Sequence, residues 1–218
     1  MARKKSGRYA AEQFRVVMDE LSGYACEIDA SPLSPGARDW AFDAALIKVA
    51  VAFEKLMLEC LIVALNNDSS AFSKNTGIAF PKHITQDHCE YLITGGGYFD
   101  YSGRSGLLKD IKRFTSGSGH WLHDAVAGEA YYHHLELLLA LRNFAAHESP
   151  QAKKKMKAAI YCWNHQVKDL KSAPHAAQFA KAYAPSSAGS WVRRQGRFTS
   201  LLNGLSDLAD TVETTAPR

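Results

Sequence analysis

One long segment, residues 37–66, restricts the fold of this 218-residue chain more than any other feature. It predicts a helix with apolar residues on most sides, among them Trp40 and Phe53. A helix that is apolar nearly all round belongs at the centre of a bundle, because no single face of it suits water. Its few polar residues include Asp43 and Glu54, which lie eleven positions apart, almost three whole turns, and so share a face. We therefore expect an all-α helical bundle built around this segment.

Other segments repeat apolar residues at spacings of three and four, which predicts further amphipathic helices. No β-hairpin signature or internal repeat is present, so the spacing favours one helical domain over residues 9–213. The predicted tail, residues 1–8, is basic and disordered, and residues 67–128 form an irregular insertion with short helices. The predicted helices cover residues 9–24, 37–66, 86–93, 107–114, 129–146 and 150–171, with an extra C-terminal helix over about 191–213. Gly95 should stop the helix over 86–93, and Ser149 should cap the helix that Pro150 opens.

Composition excludes several classes of protein. The net charge of +4 permits nucleic-acid binding without requiring it. The four cysteines are widely separated and form no Cys-x-x-Cys pair, which argues against a disulfide framework. The N-terminus lacks the apolar core of a signal peptide, and no run approaches the ~20 apolar residues of a membrane span. We expect a cytoplasmic protein without a membrane partner.

The strongest local motif lies in residues 137–150, where an apolar helix ends in a compact group of Arg142, Asn143 and His147. Cleaving RNA without a metal needs a group that transfers protons at the 2′-hydroxyl or at the leaving oxygen. Histidine titrates near neutrality and suits this task. The reaction also needs a fixed cation for the charge that grows on the phosphate, and arginine supplies one. This combination points to phosphodiester chemistry.

Spacing adds a geometric condition. Residues five apart on a straight helix lie ~140° from each other, so Arg142 and His147 would not converge within one ideal helix. Asn143, four residues before His147, would share its face and could orient the imidazole. Either the helix unwinds at its end, or two copies of the motif meet across a two-fold axis and form a composite site.

The motif resembles that of the HEPN superfamily, commonly written Arg-Asn-x-x-x-His, and it is matched here by Arg142, Asn143 and His147, with Ala146 also typical. The segment around Glu54 is similar to the acidic helix of catalytic members. The resemblance covers roughly residues 37–171. It implies a helical bundle and a dimeric, metal-independent endoribonuclease. It also implies a prokaryotic toxin or an effector of antiviral or stress responses, with tRNA or mRNA as substrate and a cognate antitoxin or regulatory protein as a partner.

On this interpretation the RNA is cleaved by attack of the 2′-hydroxyl on the adjacent phosphate, which leaves a 2′,3′-cyclic phosphate and a 5′-hydroxyl. His147 is the general acid or base, Arg142 the phosphate clamp, and Asn143 orients substrate or His147. Glu54 is a candidate support for Arg142 or His147. No cofactor or metal is expected. Candidate RNA-binding residues follow the motif: Lys153, Lys154, Lys155 and Lys157.

Simpler readings remain beside these. Arg142 and His147 are also the cations that stabilise a helix C-terminus through its dipole, and a lysine run is usually a solvated helix face. His120 and His123 lie three positions apart and raise the question of a metal site, together with His133 and His134 further along the chain. No third ligand follows the first pair at a fixed spacing, so we expect no metal there. The alternative function is a non-catalytic HEPN-like module that binds a nucleotide, RNA or partner protein. Retention of both Arg142 and His147 favours the enzyme.

Overall fold

The computed structural model describes residues 6–168 and 185–217. Within these ranges the regular secondary structure is all helical and contains no β-strand, which confirms the predicted all-α class. None of the described helices is long and apolar enough to cross a lipid bilayer. The described helices are α1 (Gly7–Ala30), α2 (Pro35–Asn67), α3 (Ser70–Thr76), α4 (Gln86–Thr94), α5 (Arg104–Phe114), α6 (Trp121–Ala127), a 3₁₀ turn (Glu129–Tyr131), α7 (Tyr132–His147), α8 (Pro150–His165), α9 (Ala188–Val192) and α10 (Arg197–Thr215).

The chain forms two compact units, and each is discontinuous in sequence. The first unit comprises the chain up to Val16, the segment Val51–Glu129 and the residues from Ser206 onward. The second unit comprises Val17–Ala50 and Ala130–Leu205, as far as these are described. The Arg-Asn-x-x-Ala-His motif therefore belongs to the second unit, whereas Glu54 belongs to the first.

The C-terminal half of α2 supplies much of the core of the first unit. Phe53, Met57 and Leu61 on this helix are fully buried. The Phe53 ring meets the edges of two others, with centroids 6.4 Å from Phe14 and 5.0 Å from Tyr101. Each aromatic pair of this kind contributes about 1 kcal/mol beyond the burial of its surface. The buried character that the sequence predicts for this part of α2 is confirmed.

One side of α2 departs from that expectation. Trp40 is 74% exposed, and Ile47 and Val51 are also exposed. These residues follow one another at seven and four positions, so they form one stripe along the helix. The apolar pattern of α2 overstates its burial, since hydrophobicity reports what a side chain prefers and not whether another element covers it.

In the second unit, α9 is attached to α2 by a buried polar contact. The backbone N–H of Gly189 donates to the Asp43 carboxylate at 2.6 Å, and Arg193 pairs with Asp39. In the same unit, Phe42 packs edge-on against Phe198, with ring centroids 5.3 Å apart. The polar residue that the sequence places in an apolar helix, Asp43, therefore holds a segment that comes much later in the chain.

The insertion predicted over residues 67–128 is more regular than expected. It contains four helices, α3 to α6, of which α4 and α5 were predicted and α3 and α6 were not. Both missed helices have seven residues, too short to show a helical period. The predicted stop of α4 is confirmed, because Gly95 adopts a left-handed conformation with φ of 63°.

Several predicted boundaries need correction. The end of α1 lies at Ala30 instead of residue 24, and α5 begins at Arg104 instead of residue 107. Helix α1 begins at Gly7, so Gly7 and Arg8 are helical rather than part of a disordered tail, and residues 1–5 lie outside the described residues. Helix α8 ends at His165 instead of continuing to residue 171, and the positions from 169 to 184 lie outside the described residues. The C-terminal helix begins at Arg197 instead of residue 191, because Gln195 and Gly196 interrupt it with positive φ.

Candidate active site

The motif occupies the last turns of α7, which stays helical through His147. Glu148 then adopts a left-handed conformation, and its N–H donates to the carbonyl of Phe144 at 3.0 Å. The predicted N-cap of the next helix is confirmed, since the Ser149 hydroxyl accepts the N–H of Ala152 at 3.1 Å. Pro150 opens α8, as predicted. Helices α7 and α8 thus form a hairpin with a very short turn directly after the motif.

The motif residues differ in how far their side chains are exposed. Leu141 and Phe144 are buried and hold one face of α7 in the core of the second unit. Arg142 and Asn143 are half-buried, and His147 is exposed at the helix end. A half-buried guanidinium keeps its charge and loses part of its freedom, which suits a clamp, whereas an exposed imidazole is accessible to a substrate.

Arg142 is oriented by its sequence neighbour. Its Nη1 donates to the side-chain oxygen of Asn143 at 3.0 Å. Within the described part of the chain no hydrogen bond joins Asn143 to His147, and none engages the His147 ring. The amide therefore positions the arginine in this structure. The roles predicted for Asn143 towards substrate and towards His147 stay predictions.

The regular geometry of α7 bears on the two arrangements that the sequence left open. Since α7 does not unwind before His147, Arg142 and His147 stand ~140° apart around its axis. One α7 helix consequently presents the cation and the imidazole on different faces. Unwinding is not found, and the composite arrangement stays a prediction.

Glu54 has a contact of its own in the first unit. Its carboxylate accepts the backbone N–H of Tyr101 at 3.2 Å, beside the contact between Tyr101 and the Phe53 ring. This bond attaches the loop before α5 to α2. The contact gives Glu54 a structural role within the first unit, and its predicted support of Arg142 or His147 is untested.

Asp43 is a second acidic residue of α2, and the sequence alone assigns it no role near the motif. It is only 8% exposed. Burial raises its pKa, against hydrogen bonds from Gly189 and Ser187 that lower it, and the negative charge of Glu148 raises it further. Asp43 is linked to the motif helix through α9, because α9 also packs against α7. The available signal was its position as a polar residue within the apolar stretch of α2.

The four predicted RNA-binding lysines lie on the first turns of α8, in the same unit as the motif. Lys154 and Lys155 are exposed, and Lys153 and Lys157 are half-buried. The Lys153 ammonium stands 5.9 Å from the centre of the Phe144 ring. This contact joins the start of α8 to the motif helix and brings positive charge close to it.

The basic residues of the C-terminal segment are used structurally. Arg197 donates to the carbonyl of Trp191 at 3.1 Å and lies over its ring at 4.8 Å. Arg193 is paired with Asp39. Both arginines therefore stabilise the region around α9.

The histidine cluster divides between the two units. In the first unit, the Nδ1 of His123 lies 3.0 Å from the Asp124 carboxylate, and the Nδ1 of His120 accepts the N–H of Leu122 at 3.3 Å. Burial lowers the pKa of His120. His133 and His134 belong to the second unit. Across residues 6–168 and 185–217, no three His, Cys, Asp or Glu side chains are grouped to hold a metal ion.

Comparison of the chain with protein-family models, with curated proteins and with solved structures gives no significant match.

Proposed function

We propose that this protein is a metal-independent endoribonuclease that acts through Arg142, Asn143 and His147. The observation that carries the proposal is the arrangement at the end of α7. A guanidinium is held there by a neighbouring amide, an accessible imidazole ends the helix, and a lysine-rich helix begins after a very short turn. Together these groups provide proton transfer, charge stabilisation and attraction for a polyanion.

The chemistry needs two proton transfers and one centre of positive charge. One His147 imidazole takes the proton from the 2′-hydroxyl as its oxygen bonds to the adjacent phosphorus. The bond from phosphorus to the 5′-oxygen then breaks, and the imidazolium formed in the first transfer donates its proton to that leaving oxygen. Arg142 hydrogen-bonds the phosphate oxygens as charge accumulates on them. The products are a 2′,3′-cyclic phosphate and a 5′-hydroxyl.

The composite two-fold site belongs to the same proposal. Because one helix presents Arg142 and His147 on different faces, two chains with facing motifs would bring the Arg142 of one beside the His147 of the other. A two-fold interface is the commonest closed symmetry among soluble oligomers.

A chain of this chemistry would be toxic without control, so we place it among prokaryotic toxins or antiviral and stress-response effectors, with tRNA or mRNA as substrate. A cognate antitoxin or regulatory protein would restrain it, and cytoplasmic RNA would be its target.

The deciding experiment is a cleavage assay of the purified chain on tRNA and mRNA, with and without EDTA. We expect unchanged cleavage in EDTA. The 5′-hydroxyl ends should be labelled by polynucleotide kinase without prior phosphatase treatment, and the 3′ ends should be extended or ligated only after the cyclic phosphate has been removed. Activity that requires Mg²⁺, Mn²⁺ or Zn²⁺ would contradict the mechanism. Binding of RNA without any cleavage would favour the non-catalytic module.

A further inference from the structure

Helix α5, in the first unit, carries three cations on one face. Lys109, Lys112 and Arg113 are all exposed. At 100° per residue they fall within an arc of ~100°. The opposite face buries Leu107 and Ile111. The three charges are therefore presented together, directly away from the core of their unit.

Helix α3 adds a fourth cation at the same place. The Asn75 amide donates to the carbonyls of Lys112 at 3.0 Å and Arg113 at 3.1 Å, so the C-terminal ends of α3 and α5 lie side by side. Lys74, the residue before this amide, is exposed. We call Lys74, Lys109, Lys112 and Arg113 the α5 basic surface.

Across the described residues, no carboxylate lies within ion-pair distance of these four cations. The charge of Asp110 acts on Arg113 and Lys109 from a longer distance. By contrast, Arg15 in the same unit is bonded to both Asp210 and Glu213. Four close like charges without ion-pair partners repel one another, and that repulsion is relieved when a polyanion binds.

Lysines and arginines at helix C-termini often serve only to offset the negative end of the helix dipole. The four positive charges are therefore compared with the negative charge of the two helix ends and of Asp110. The two helix ends contribute about −0.5 each, and Asp110 contributes one negative charge from a half-buried position. Against the four cations this leaves a net charge of about +2. The Asn75 amide already satisfies the end carbonyls of α5. The surface is more basic than its helix ends require.

Aromatic and apolar groups border the same surface. The Arg113 guanidinium lies 5.1 Å from the centre of the Phe114 ring, which stacks on Phe72 at 5.2 Å. Phe80, half-buried, lies 4.9 Å from Phe72, and Ile78 beside it is 58% exposed. Phe72 and Phe114 are buried, so only the half-buried Phe80 and the exposed Ile78 are accessible to bases. Single-stranded nucleic acid is bound where cations contact phosphates and accessible flat or apolar groups contact bases.

We propose that the α5 basic surface binds the phosphate backbone of single-stranded RNA, as a second contact region besides the lysines of α8. The choice of RNA as the polyanion rests on the proposed ribonuclease function, whereas the surface itself does not depend on the motif. A contact outside the site holds a long substrate through many phosphates and carries no sequence information.

The test compares two double variants that lose the same charge. Lys109→Gln with Lys112→Gln removes half of the surface, and Lys48→Gln with Lys55→Gln removes two exposed lysines of α2 as the control. Both are made in a His147→Ala chain so that the RNA stays intact. Binding of a labelled oligouridylate is followed by fluorescence anisotropy between 50 and 200 mM salt, with circular dichroism to confirm folding.

We expect the α5 double variant to bind on the order of tenfold more weakly at the lowest salt, and the salt slope to fall by ~1.4, or ~0.7 for each lost phosphate contact. The control should change by less than about twofold. If both double variants lose the same affinity for oligouridylate, the loss reflects net charge alone and the proposal is overturned. An α5 double variant with unchanged affinity would overturn it as well. Binding of anionic lipid vesicles, but not of RNA, through Lys109 and Lys112 would overturn it too.

This outcome is separable from that of the proposed function. If the chain binds oligouridylate through the α5 basic surface but the unmutated protein cleaves no RNA, the surface assignment stands and the ribonuclease fails. If the unmutated protein cleaves RNA and the α5 double variant binds oligouridylate as well as its His147→Ala parent, the ribonuclease stands and the surface assignment is wrong.

Discussion

The carboxylate of Asp43 accepts the backbone N–H of Gly189 at 2.6 Å, across 146 positions of sequence. Both groups are buried. The bond attaches α9 to α2, and α9 also packs against the motif helix α7, so the surroundings of the candidate active site depend on a contact between distant parts of the chain.

The first prediction concerns the charge of Asp43. Burial raises its pKa in the folded protein above the unfolded value, so folding is favoured when the carboxyl is protonated. The corresponding stability is present below the unfolded pKa and is lost as pH rises through the folded pKa. Asp43→Asn keeps the acceptor for Gly189 without the charge. We expect its free energy of unfolding, measured in urea, to gain on the wild type between about pH 4 and pH 7.

An exposed carboxylate of α1, Asp19, is the control for that measurement. Asp19→Asn should show no such drift with pH relative to the wild type. Asp43→Ala, which removes the acceptor as well, should lose about 1–3 kcal/mol, because it leaves a buried N–H without a partner. Parallel pH profiles for wild type and Asp43→Asn would show that burial of the charge does not govern stability here.

The second prediction is that Gly189 tolerates no side chain. A Cβ atom there would lie 2.0 Å from the backbone oxygen of Asp39 and 2.9 Å from the backbone nitrogen of Asp43. Backbone atoms of α2 cannot move aside, so Gly189→Ala should lose about 3 kcal/mol or fail to fold. Gly23→Ala is the matched control, since nothing lies within 4 Å of its added carbon. In the middle of α1 it should gain about 0.5–1 kcal/mol.

A third prediction tests the helix cap next to the motif. Ser149→Ala removes the acceptor for the Ala152 N–H and should lose about 1 kcal/mol in thermal or urea unfolding. Ser105→Ala, on an exposed position of α5, should change stability by less than about 0.5 kcal/mol. A loss no larger than that of Ser105→Ala would show that the turn is held by other contacts.

The fourth prediction concerns the proposed catalytic pair. Arg142→Ala and His147→Ala should each abolish cleavage, because each removes a different stabilisation of the transition state. His147 is exposed, so its variant should unfold like the wild type. Retention of more than about a tenth of the rate by either variant, equivalent to only ~1.4 kcal/mol, would show that the residue is not catalytic.

The fifth prediction tests the composite site directly. A mixture of inactive Arg142→Ala and His147→Ala chains should regain part of the activity once subunits exchange. One of the two sites in each mixed dimer would then carry both native side chains. Subunit exchange is followed by mass spectrometry of differently tagged chains. A mixture that exchanges but stays inactive would contradict the shared site.

Much of the local structure follows from local sequence. The all-α class and the extent of α2 are visible in the spacing of apolar residues, because a helical period is a property of neighbouring positions. The cap at Ser149 and the stop at Gly95 are equally visible, since each needs only its own few residues. These features are determined before any distant contact forms.

Tertiary structure decided the remainder, because it depends on which groups meet across long separations. No local pattern shows that Trp40 stays exposed on an apolar helix, or that the Asp43 carboxylate accepts a hydrogen bond from the N–H of Gly189. The same holds for Glu54, whose bond to Tyr101 depends on where a later loop lies. The spacing of apolar residues indicates whether a side chain favours a buried or an exposed position. Which group it then contacts or hydrogen-bonds is determined only in the folded chain.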